Sequence, residues 1–170
     1  TYYKDVALCR LASQYANVEN YKCSDSLYGY LFELNDLSPN LRVHAMMDCA
    51  YVKSIREPSD IEGALNLYDT IIKGGNGGTM TNKDYWAYAY ALAMSGNLSS
   101  SNEIVSQLVK LDTTVNASYW QYKFSLLKGD SANALSFLEN ATRQHNMSVV
   151  TALNQSLTSA QRNHYALLLE

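Results

Sequence analysis

Proline is nearly absent. Pro39 and Pro58 are the only two in 170 residues, so long stretches lack the residue that most strongly ends a helix. Charge is sparse as well: 17% of residues are ionised, with 13 basic against 16 acidic and a formal net charge of −3. That balance supplies no attraction for nucleic acid or anionic lipid, and neutral polar groups, chiefly Asn and Ser, must cover the surface. No apolar run approaches the roughly 18 residues of a membrane span. The start, Thr1-Tyr2-Tyr3-Lys4, has no charged-then-apolar layout of a signal peptide. Nor does it carry an initiator Met, which points to an excised or processed piece of a larger multi-domain chain or complex.

Chemistry-bearing clusters are missing too. Cys9, Cys23 and Cys49 are odd in number and have neither metal-ligand nor redox spacing, which favours reduced, buried thiols in a cytoplasmic protein. Against that stand five N-x-Ser/Thr sequences, at Asn97, Asn116, Asn140, Asn146 and Asn154; they leave secretion open. His44, His145 and His164 have no metal-binding partner at helical spacing, so no metal or cofactor is expected. Five residues on one helix is poor geometry for pairing Cys49 with His44 as nucleophile and base. The Gly74–Thr79 stretch could form an anion nest, yet it lacks the Lys-Ser/Thr ending of a P-loop and follows a helix, so it reads as a flexible insertion. Asp48, Glu57, Asp60 and Glu62 lie near turns or helix starts, where capping and dipole complementarity account for them.

What is present is apolar and aromatic. Hydrophobic residues make up 47%, with 14 tyrosines and two tryptophans, enough for a continuous core. They recur at helical spacing, as in Tyr85, Tyr88, Ala89 and Leu92, or Ile104, Val105, Leu108 and Leu111. Trp120, Tyr122, Phe124 and Leu126 alternate, which reads as a helix buried on two sides. The chain also repeats itself. Apolar triplets of one internal spacing occur at Leu27-Tyr28-Leu31, Leu67-Tyr68-Ile71, Ile104-Val105-Leu108 and Phe137-Leu138-Ala141, in steps of 40, 37 and 33 residues. A second triplet precedes each, at Leu11-Ala12-Tyr15, Tyr51-Val52-Ile55, Tyr88-Ala89-Leu92 and, in weakened form, Gln121-Tyr122-Ser125. Two stripes separated by a turn describe a helical hairpin. Ser95-Gly96-Asn97 and Lys128-Gly129-Asp130 supply turns where glycine can end a helix in the left-handed conformation.

The pattern Leu11-Ala12-x-x-Tyr15, and Gly129-Asp130 followed by Ala134, Leu138 and Ala141, resemble tetratricopeptide (TPR) repeats, with Sel1-like repeats as near neighbours. Ser101, Gln121 and Ser125 depart from the pattern, and the second unit lacks a small residue in its first helix. The resemblance implies an all-α, right-handed α-solenoid in a single domain over 1–170: about four helix-turn-helix repeats at 3–37, 41–73, 82–112 and 116–144, plus capping helices over 146–169. The two capping segments are Met147–Leu153 and Ala160–Leu169.

The first helices of such an array line a concave groove. Carrying over the family's groove positions selects Cys49, Lys53, Lys83, Trp86, Tyr90, Tyr119 and Lys123. The implied function is protein–protein interaction: a peptide or partner helix gripped by aromatic rings and oriented by lysines. The Lys/Asn/Arg arrangement that clamps a peptide's terminal carboxylate is absent, which argues against a chaperone-tail receptor. Two other readings are a structural segment of a larger scaffold or coat-like assembly, marked by an exposed apolar patch, and an enzyme, which requires a groove carboxylate of raised pKa. None of the selected positions is acidic, so a non-enzyme is expected.

Overall fold

The computed structural model describes residues 2–112 and 114–156, with side chains for all of these except residues 2, 115, 116 and 146–156. The described chain is all-helical. In order it forms α1 (Tyr2–Asn17), α2 (Tyr21–Glu33), α3 (Pro39–Ile55), α4 (Ile61–Lys73), a single 3-10 turn (Gly77–Thr79), α5 (Asn82–Met94), α6 (Leu98–Leu111), α7 (Val115–Leu127) and α8 (Ser131–Ser156). Two compact units result, divided between Leu111 and Asp112.

Helix ends follow from side-chain chemistry. Asn20, Ser38 and Asp60 each accept a hydrogen bond from a backbone N–H in the first turn of the helix they open, which satisfies donors that no helical carbonyl can reach. Pro39 occupies the first turn of α3, where its missing N–H costs nothing. Thr81 and Asp84 form a reciprocal capping box at the start of α5. Gly96 and Gly129 take φ of 90° and 71° between the helices they separate, a backbone conformation that penalises any residue with a Cβ. At the C-terminus of α2 the guanidinium of Arg42, reaching from α3, donates to the Phe32 carbonyl at 2.7 Å and to that of Leu34.

In the first unit α1 packs on α2, α3 on α4 and α5 on α6, while α3 also touches both α1 and α5. One core cluster gathers Cys9, Ala12, Tyr28, Leu31, Leu37, Ala45 and Cys49. Alanines at 12, 45, 50, 64, 87, 89 and 91 are buried; small side chains there let helix backbones approach closely around the large rings of Tyr28, Tyr68 and Trp86. Tyr68 and Tyr88 meet with ring centroids 5.2 Å apart. The glycine-rich link holds its 3-10 turn through the Tyr85 hydroxyl, which donates to the Gly77 carbonyl at 3.1 Å. In the second unit α7 packs on α8, burying Ala117, Trp120, Phe124, Ala134 and Ala141.

One expectation needs correcting. Met147–Leu153 is not a separate capping helix: α8 runs unbroken from Ser131 to Ser156, because no glycine or proline interrupts Gln144-His145-Asn146-Met147. Ala160–Leu169 lies outside the described residues.

A buried polar atom offers a stability test. Ser24 is fully buried in α2, yet its hydroxyl has no hydrogen-bond partner among the described residues. Ser24→Ala should therefore stabilise the protein by about 1 kcal/mol, through relief of an unsatisfied hydroxyl and higher helix propensity. Thermal unfolding of the two proteins checks this; a lower melting temperature for the variant would show that the hydroxyl is bonded.

Candidate functional site

Because α3 lies between α1 and α5, residues on one side of these three helices face a common open strip. Two hollows occupy it. The larger, about 580 Å³, is lined from α1 by Val6, Cys9, Arg10, Ser13 and Gln14, and from α3 by Leu41, His44, Ala45 and Asp48. A smaller one, about 150 Å³, takes in Asn17 and Tyr21, then Tyr51, Val52 and Ile55 of α3, and Lys83 of α5. Ser13 and Asp48 line both, so the hollows form one groove with those two residues at its waist.

The groove's electrostatics centre on Asp48. Water reaches its carboxylate, but surrounding protein desolvates it and lifts its pKa above the ordinary aspartate value. Lys83 and His44 pull in the opposite direction, while Asp84 adds to the rise. Its oxygens take part in no hydrogen bond or ion pair of contact distance among the described residues. Beside it the Lys83 ammonium sits over the Tyr51 ring, 3.8 Å from the centroid, an attraction between a cation and the negative face of an aromatic ring. Across the waist the hydroxyls of Ser13 and Tyr28 share a hydrogen bond of 3.1 Å.

Of the residues selected from sequence, Lys83 alone lines this groove. Cys49 is only 2% exposed and belongs to the core; burial pushes its thiol up to about 12, so it neither contacts a partner nor serves as a nucleophile. Trp86 is fully buried and likewise cannot touch a ligand. Lys53 points to the opposite side of α3, where it bonds Asp60 and lies 3.8 Å from Asp25. Tyr90 is half-buried on α5 and lines neither hollow. Tyr119 and Lys123 belong to the second unit, with the ammonium 5.9 Å from the ring centroid.

The residues missed were Arg10, Ser13, His44, Asp48 and Tyr51. A signal existed: His44 and Asp48 stand one helical turn apart and share a face with Tyr51 and Ile55. Among the described residues that line the two hollows, Asp48 is the one acid, and its pKa is raised. No nucleophile within hydrogen-bond distance of it appears among the described residues, since Ser13 is bonded to Tyr28 instead. Among the described residues no group of three His, Cys, Asp or Glu could hold a metal ion, and no helix is long and apolar enough to cross a membrane.

Comparison with family models, with curated proteins and with solved structures returns no match to this chain.

Proposed function

We propose that this chain is a TPR-like α-solenoid segment that works by protein–protein interaction, its first unit binding an extended peptide or a partner helix in the groove across α1, α3 and α5. The carrying observation is the groove itself. It is open, runs past three helices, and combines apolar walls (Val6, Leu41, Val52, Ile55) with charges of both signs and an aromatic face, the mixture that gives a peptide both burial and orientation. No catalytic step is part of this reading, and neither a cofactor, a nucleic acid nor a membrane is among the proposed ligands. The alternative, a structural segment of a larger assembly, draws on a different observation: Leu98, Val109 and Leu111 of α6 and Leu135 of α8 are 59%, 48%, 73% and 58% exposed, surface that another subunit could cover.

Filling the groove separates the two. Gln14 and Asn17 are exposed on α1 and line the larger and smaller hollow respectively, so Gln14→Trp/Asn17→Trp blocks both without touching the core. Ser26→Trp/Glu62→Trp, at exposed positions of α2 and α4, is the control. For a peptide selected on wild-type protein from a displayed random library, the groove-filled variant should lose at least about tenfold in affinity by calorimetry, and the control should lose none. Equal binding by all three proteins would refute the groove reading and leave the apolar faces of α6 and α8 as the working surface.

A further inference from the structure

The groove's waist carries a more specific message, which rests on the groove reading above. Asp48 is an exposed acid at the junction of the two hollows, and none of the hydrogen bonds or ion pairs among the described residues reaches it. A structural carboxylate in the same chain is treated differently: Asp60 receives a backbone N–H and a lysine. The neighbouring Tyr51 ring already holds an ammonium, that of Lys83. An aromatic face next to an unpaired carboxylate is a cation site, and here a lysine of the chain itself lies against one half of it.

We propose that the groove selects a peptide bearing a basic side chain, Lys or Arg, which seats its cation on Asp48 beside Tyr51 and displaces Lys83. Arg10 lines the larger hollow and Lys83 the smaller, with Asp48 at the junction, so lining charges run positive, negative, positive along the groove. The complementary ligand is acidic on either side of its central base. Lys83 is a resident competitor, and the sign of its contribution is diagnostic. In a groove that seeks acids, removing Lys83 weakens binding; in one that seeks a base, removing it strengthens binding.

The test uses the full chain and peptides selected on it from a random nine-residue library. For peptides whose binding the groove-filled variant abolishes, the expected consensus contains one obligatory Lys or Arg. Asp48→Asn should weaken such a peptide about tenfold or more, the effect of losing a charge-assisted bond. Lys83→Gln should tighten it roughly two- to fivefold, the scale of a cation–π contact released to the ligand. A second readout guards against a folding artefact. Ionised Asp48 is disfavoured by the fold, so the stability tied to its protonated form is lost as pH rises through its raised pKa. The titratable and charged groups that face it or share its hollows are His44 and Tyr51 on its own helix, Cys9 and Arg10 on α1, Tyr21 and Tyr28 on α2, Tyr68 on α4, and Lys83 and Asp84 on α5. Asp48→Asn should therefore melt higher than wild type at neutral pH, with the gain shrinking as pH falls, while it binds worse. A consensus requiring Asp or Glu and weakened by Lys83→Gln would overturn the inference and leave the groove reading standing. Failure to select any peptide sensitive to groove filling would overturn both.

Discussion

Trp86→Ala is expected to lower the stability of the protein by about 3–5 kcal/mol, the range for truncating a fully enclosed tryptophan. Its side chain has no solvent exposure and is carried by α5, which packs against α3, α4 and α6. Three of its close neighbours on α5, Ala87, Ala89 and Ala91, are small and buried, so they leave the void unfilled. Domains of this size are stable by only about 5–15 kcal/mol in total, so the loss is a large fraction of what holds the fold together. In urea titrations the midpoint should fall sharply with the slope unchanged; Trp86→Phe, which retains a ring, should recover most of it. An alanine variant within 1 kcal/mol of wild type would mean that the ring does not occupy the core. For function the result matters because truncation at Trp86 weakens binding through loss of stability in the first unit, whatever the groove does. Exposed positions such as Gln14 and Asn17 are the ones that interrogate the groove.

Why Trp86 was open to misreading in the sequence is a matter of periodicity. The α5 segment, Tyr85-Trp86-Ala87-Tyr88-Ala89-Tyr90-Ala91-Leu92, is apolar throughout, and a helix buried on several sides has no polar face to orient it. The all-helical class was legible because helix spacing dominates and the breakers are few. Turns at Gly96 and Gly129 were legible because only a residue tolerant of positive φ fits there. Side-chain direction was not. On α3 a shift of one position exchanges Cys49, which the structure buries, for Asp48, which it places in the groove. Ordinary physical preference for keeping a carboxylate wet and a thiol dry picks the correct one, whereas family positions picked the other. Lys53 shows the second limit. Its charge suggested a ligand contact, and only the packing of α2 beside α3 reveals that two aspartates already engage it.

Asp60→Ala should cost about 2–3 kcal/mol, of which about half should disappear in acid. One carboxylate oxygen accepts the Gly63 N–H at 3.0 Å, capping α4, a contact worth about 1 kcal/mol. The other accepts from Lys53 and lies 3.5 Å from the Arg56 guanidinium. Arg56 in turn bonds Asp25 of α2 at 2.7 Å and stacks 5.7 Å from the Tyr21 ring centroid. The four charges therefore clasp α2, the end of α3 and the start of α4 together. The lysine and arginine side chains are 18% and 13% exposed and Asp60 is 33% exposed, so solvent screens the network in part and its share is nearer 1 than 3 kcal/mol. Asp60→Asn separates the two roles: asparagine caps well but carries no charge, so about half of the loss should remain. Gly63→Ala should resemble Asp60→Ala despite alanine's better helix propensity, because an added Cβ would lie within 2.8 Å of the Asp60 carboxyl carbon and push the cap away. The hydrogen bond from Lys53, ahead of the one from Gly63, holds the Asp60 pKa below the ordinary aspartate value. The stability it supplies is therefore present above that ordinary value and disappears as pH falls through the depressed one. Thermal melts of wild type and Asp60→Asn should run parallel from neutral pH to about pH 4 and converge below it. A gap that persists undiminished at low pH would show that the charges contribute nothing and that the clasp holds by packing alone. If the gap closes, the charges contribute to the clasp that joins α2, the end of α3 and the start of α4.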